Sequence, residues 1–169
     1  MAQSSRLINP LTTHDLQNVL KILPKRKNYY LNVLSYDALL ENKFPQNDFA
    51  IIFNTLTSYQ SGLGHWCVIF NDKHSKTYTY FNSLNDHIDE RVQNLIESRL
   101  MRGERLISNA ICLQKTFSNV CGYLCVYILK CLMNGMNLNE IIEYDLNMYN
   151  FNQIEDKVIQ YYFDILINH

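Results

Sequence analysis

Residues 121–133, Cys121-Gly122-Tyr123-Leu124-Cys125-Val126-Tyr127-Ile128-Leu129-Lys130-Cys131-Leu132-Met133, are apolar at nearly every position. A helix with apolar side chains all round has no face to give to water and must be enclosed. The stretch therefore predicts a central helix with the other elements packed about it. Ser118 or Asn119 can cap its start, and Asn134-Gly135 closes it. Cys121 falls where a polar loop becomes buried helix. Unpaired N–H groups and the positive dipole end there favour thiolate over thiol. Gly122 beside it leaves room for a substrate backbone to approach. On these grounds alone Cys121 fits both a small core residue and an activated nucleophile.

Working outward, Gly64–Phe70 and Thr77–Phe81 read as strands joined by a polar hairpin loop, Asn71–Lys76. Phe49–Phe53 reads as a further buried strand. If Phe70 faces Thr77, His65 lies opposite Asn82. Opposed side chains have Cβ atoms about 4.5–5.5 Å apart, so imidazole and amide oxygen come within hydrogen-bond reach provided no bulge intervenes. Helices are expected over Asp15–Leu23, from Ser35, over Asp86–Leu100, Leu138–Leu146 and Asn152–Ile167. Thr12 or Thr13 would cap the first and Pro24 stop it, while Asn152 and Glu155 give the last a capping-box start. Ala110–Leu113 is a short strand-like run. The pattern is α+β: a small sheet around a buried central helix, flanked by further helices.

The 169 residues are 47% apolar, 18% charged and 12% aromatic, which excludes a disordered chain and fits one domain spanning 1–169. Fifteen basic against sixteen acidic residues, a formal charge of −1, provide no global field for nucleic acid or anionic membrane. No apolar leader or spanning stretch is evident, and no N-x-Ser/Thr acceptor occurs, so a soluble, non-secreted protein is expected. Five cysteines, an odd count without a CxxC pair or zinc spacing, read as reduced thiols. Cys67 and Cys112 default to buried positions. Lys25-Arg26-Lys27 is a small basic cluster, a solvated turn by default and a partner site otherwise.

His14, His74, His87 and His169 fall at helix starts, a loop or the terminus, whereas His65 opens a strand. A lone histidine on an apolar strand is usually a satisfied core residue. Together with Asn82 and Cys121 it is far more specific. His65-Trp66, Tyr80-Phe81-Asn82-Ser83, Gln114 and Ser118-x-x-Cys121-Gly122-x-x-Cys125 resemble the adenovirus-type maturation cysteine proteases, most of all those of virophages and polinton-like elements. The resemblance runs from about Phe49 to Leu132. A looser one ties the chain to SUMO- and ubiquitin-like-protein proteases, which carry Asp where Val120 stands.

The resemblance implies a papain-like, adenain-type cysteine protease fold with Cys121 as nucleophile and His65 as general base, then acid. It implies that Asn82 orients the imidazole, and that Gln114 with the Cys121 N–H forms the oxyanion hole. Trp66 would shape the cleft, although a core aromatic fits it equally well. Relatives often carry Glu or Asp in place of Asn82; Asp86 or Asp89 could supply charge nearby. The implied function is a viral endopeptidase of virion and host cytoplasm that cleaves capsid precursors at small, glycine-containing sites. Deubiquitinase or SUMO-type isopeptidase activity, or a non-catalytic peptide-binding module, are the alternatives. No cofactor, metal or membrane partner is expected, and the chain should be a monomer. The DNA and peptide activators of the adenoviral relatives find no support in its charge.

Overall fold

The computed structural model describes residues 8–42 and 44–169. Its centre is β2, Phe49–Asn54, and β3, Trp66–Asp72, an antiparallel pair buried almost throughout. Strands enclosed on both faces read as continuous apolar runs, which is why Phe49–Phe53 has no polar alternation. β4, Thr77–Phe81, pairs antiparallel with β3. Two strands absent from the sequence reading complete the sheet. β1, Tyr30–Leu34, lies parallel to β2, and β5, Arg105–Ser108, lies parallel to β4, in the order β1-β2-β3-β4-β5. The run Ala110–Leu113 is not a strand; the fifth strand ends just before it.

Successive residues of β3 point to opposite faces. Trp66, Val68 and Phe70 join a core with helix α4, Cys121–Met133, while Cys67 and Ile69 join a second core behind the sheet. That second core is closed by α2, Tyr36–Glu41, and α3, Glu90–Glu97. α4 lies against β3, against α1, Thr13–Ile22, and against α6, Phe151–Ile167. Tyr123 and Tyr127 seal the α6 side through rings of Tyr162 and Tyr161 at centroid distances of 5.1 and 5.3 Å. The central, fully enclosed helix of the sequence reading is thus present, with twelve of its residues buried.

Several boundaries move for local reasons. α1 is capped by Thr12 in a reciprocal box with Asp15. α3 is shorter than Asp86–Leu100 because Asp89 caps it, its carboxylate accepting the Arg91 N–H. α6 opens on Asn150 and Gln153, two residues before the expected Asn152 box. The segment expected as one helix over Leu138–Leu146 is a single α turn, α5 (Leu138–Glu140), running into a π-helical stretch over Ile141–Leu146. Neither Ser118 nor Asn119 caps α4. Val120 takes the N-cap position without a side-chain bond, and Ser118 Oγ is buried without a partner.

The basic cluster is structural for two of its three charges. Arg26 and Lys27 both pair with the buried carboxylate of Asp72, Lys27 also reaching Asp48 at 2.9 Å. Their charge holds Asp72 below the usual carboxylate range against the effect of its burial.

Candidate active site

The β3–β4 hairpin decides where the candidate base sits. Asp72 faces Thr77 and Val68 faces Phe81, so the loop is four residues, Lys73–Lys76, and the register differs by two from the expected one. His65 is therefore not directly opposite Asn82. A shift of two preserves the face on which each side chain points, whereas a shift of one would have reversed it. The two residues lie diagonally beyond the last ladder pair, and the imidazole spans the gap: Nε2 is 2.9 Å from Asn82 Oδ1.

The proton on that contact can be assigned from its neighbour. Asn82 Oδ1 also accepts the Leu84 N–H at 3.0 Å, and a backbone N–H only donates. The amide atom is therefore oxygen, Nε2 carries hydrogen, and Nδ1 keeps the lone pair. His65 itself is anchored by two bonds to Thr55, its N–H to Oγ1 at 3.0 Å and its carbonyl from the Thr55 N–H at 2.8 Å. Asn82 is held by a residue that carries no signal of its role in the sequence. Asn109, just past β5, accepts the Asn82 N–H at 3.0 Å and donates to its carbonyl at 2.7 Å, extending the sheet by one side-chain rung.

Cys121 is the first residue of α4 and is 7% exposed. Burial pushes its thiol up, and the amides of Trp66, Gly122 and Cys121 itself oppose this. Burial likewise pushes His65 down, against the Asn82 contact and the negative charge of Asp86. Both directions favour a neutral thiol–imidazole pair over thiolate and imidazolium. Of the two carboxylates expected to lend charge, only Asp86 acts on the imidazole. Asp89 binds the Tyr36 hydroxyl at 2.5 Å instead.

Gln114 is 2% exposed, its Oε1 accepting from Ser83 Oγ at 2.6 Å and its Nε2 donating to the Ser118 carbonyl at 3.3 Å. His65, Trp66, Gln114 and Cys121 line one cleft of about 300 Å³. A second, of about 440 Å³, continues from His65 and Leu84 past Asn82 towards Asp86 and Arg91. Leu63 and Phe117 stand exposed at the rim of the first. Trp66 is 5% exposed within the core and also lines the cleft, its Nε1–H held by the Leu11 carbonyl at 2.9 Å.

Two expectations are corrected here. A Cβ on Gly122 would lie 3.0 Å from Leu11 Cβ, so its bare face receives this chain's own N-terminal segment and not a substrate. Asn119 and Tyr123 bind the carbonyls of Ile8 and Asn9 and seat that segment beside α4. Cys112 is exposed, with its thiol donating to the Gln114 carbonyl at 3.0 Å, while Cys67 is buried and its thiol pushed up to about 12.

The paired shifts have a measurable sign. With Cys121 as nucleophile and His65 as its base, as the sequence leads one to expect, turnover would need a neutral imidazole. Its lowered pKa would set the acid limb of kcat/KM below the ordinary histidine range, and the raised thiol would set the alkaline limb above the ordinary thiol range. Asn82→Asp places a carboxylate against the ring, stabilises imidazolium and is expected to move the acid limb to higher pH. A pH–rate profile in which Asn82→Asp leaves that limb in place, or lowers it, would contradict the assignment.

No protein-family model matches the chain, and no curated protein matches it in sequence. Solved structures do. The ASFV pS273R protease is 17% identical with a TM-score of 0.64, the match covering 83% of this chain and 64% of that one. The chain thus spans just under two thirds of that protease. ChlaDub1 from Chlamydia trachomatis is 12% identical with a TM-score of 0.50, over 90% of this chain and 73% of that one. The Chlamydia trachomatis effector protein Cdu1, in its structure bound to ubiquitin, is 13% identical with a TM-score of 0.50, over 90% and 74%. The five-stranded sheet, with a buried helix beginning at Cys121 packed on it, is the papain-like α+β cysteine protease fold.

Proposed function

We propose that the chain is a cysteine endopeptidase. The observation that carries this reading is the bond from His65 Nε2–H to Asn82 Oδ1, which leaves Nδ1 as the free basic nitrogen of a histidine that lines one cleft with Cys121 and Gln114. Nδ1 takes the Cys121 proton as sulfur attacks the scissile carbonyl. The oxyanion is met by Gln114 Nε2 and the Cys121 N–H. Imidazolium then protonates the departing amine, the C–N bond breaks, and water deprotonated by His65 hydrolyses the thioester. The departing amine must lie beside the imidazole, so the peptide it begins leads into the second cleft.

The substrate reading is a viral capsid or virion precursor cut at a glycine-containing site, with the enzyme in the virion and the host cytoplasm. Support comes from the similarity in fold to the ASFV protease and from the small volume of the first cleft, about 300 Å³, walled by buried Trp66. A side chain next to the scissile bond would clash there, so peptides with alanine or leucine replacing that glycine are expected to be poor substrates. Equal turnover of the three would refute the glycine preference. A second reading, cleavage of ubiquitin-like tails, is favoured by the similarity in fold to Cdu1 in its ubiquitin-bound structure. Incubating the protein and its Cys121→Ala variant with the capsid precursor of the same genome and with a ubiquitin fusion, read by intact mass, separates the two. Cleavage of neither, with no alkylation of Cys121 by iodoacetamide, would favour a peptide-binding module.

A further inference from the structure

Ser83 follows the residue that orients the base, yet its own contacts all point to the other half of the site. It is completely buried. Its carbonyl accepts the Leu113 N–H at 2.8 Å, and its hydroxyl lies 2.6 Å from Gln114 Oε1, so backbone and side chain together grip the segment carrying Gln114. A serine hydroxyl can donate or accept and would by itself suit either orientation of the carboxamide. The Ser118 carbonyl resolves the choice. It only accepts, so the Gln114 atom 3.3 Å from it is Nε2, and the atom facing Ser83 is the oxygen. The hydroxyl therefore donates. A bond donated to an amide oxygen draws electron density from its nitrogen and makes the remaining N–H a stronger donor.

We propose that Ser83 is a positioning residue for oxyanion stabilisation, its buried hydroxyl fixing and polarising the Gln114 carboxamide so that Nε2 serves the cleft. This rests on the peptidase reading of Cys121 and Gln114. The Asn82-Ser83 pair then sets both halves of the machinery from one corner of the sheet: Asn82 orients the base, and Ser83 orients the oxyanion donor.

Oxyanion stabilisation matters when a carbonyl becomes tetrahedral and not when a thiol is alkylated, which distinguishes this role from general disruption. Ser83→Ala is expected to lower kcat at least about tenfold with KM little changed, short of the about 10²–10³-fold loss on removing an oxyanion donor outright. Iodoacetamide labelling of Cys121 should keep its rate and pH profile. Ser83→Thr, which retains the hydroxyl, should recover turnover. On a Gln114→Ala background Ser83→Ala should add little further loss, because the group it positions is gone. Full turnover by Ser83→Ala, a parallel fall in labelling, or an undiminished second loss on the Gln114→Ala background would each overturn the proposal. A wild-type chain that turns over no peptide would instead overturn the peptidase reading beneath it.

Discussion

Cys121→Ala is expected to yield a folded protein whose peptide turnover falls by about 10⁶-fold, the scale seen when a covalent nucleophile is removed. The fold should survive because α4 is held along its whole length by β3, α1 and α6, and the variant removes one sulfur at its first residue. His65→Ala should lose turnover on a comparable scale, since the two act as one unit. The thiol would remain, however, and label slowly at neutral pH, because burial keeps it protonated without a base. Thermal midpoints near that of the wild type, together with absent turnover, would establish a chemical cause. Residual turnover of one part in ten by Cys121→Ala would place the nucleophile elsewhere.

The second large effect comes from a residue with no chemistry of its own. Gly64 has φ +58°, and a Cβ there would lie 1.9 Å from Asn54 Oδ1. Left-handed backbone costs a side-chain-bearing residue about 1–2 kcal/mol. The clash adds to it, because Asn54 cannot swing away freely: its Oδ1 accepts the Leu56 N–H at 2.9 Å and its Nδ2 donates to the Leu63 carbonyl at 3.1 Å. Those bonds shape the loop that delivers His65. Gly64→Ala should therefore lower the thermal midpoint by several degrees, at about 2–4 °C per kcal/mol for a chain of this size. It should lower kcat/KM by about 10²-fold, the penalty for displacing a reacting group by about 1 Å. Wild-type kcat/KM in Gly64→Ala would mean that this loop does not place the base.

The parts of the molecule that declared themselves in the sequence are those whose burial is extreme. An all-apolar helix and three apolar strands were readable because few structures accommodate them. β1 and β5 were not, because edge strands in parallel pairs bury little: Val33 is the one buried residue of Tyr30–Leu34, and Arg105–Ser108 has none. Their partners are also distant in sequence, so no hairpin turn announces them. The His65–Asn82 contact was legible through a register that proved wrong by two, since the pleat repeats every two residues and keeps both side chains on one face. Asn109 was not legible. It is one of twenty asparagines, and its role depends on where β5 ends. Gly122 was expected to admit a substrate backbone, but the group packed against its bare face is the side chain of Leu11.

The two cores separated by the sheet imply a particular way for this protein to fail. Cys121 belongs to the helical layer, whereas His65 and Asn82 stand at the adjoining ends of β3 and β4, and the join between them is the Trp66-Val68-Phe70 face of β3. Thiol and imidazole are thus mounted on opposite banks of an interface, and their spacing is a gauge of how tightly that interface is shut. A little urea, or one oversized side chain at Val68, could part the banks by an ångström while every strand stays paired. Hydrolysis would then disappear well before the circular dichroism signal, with the thiol becoming easier to label as the helix lifts.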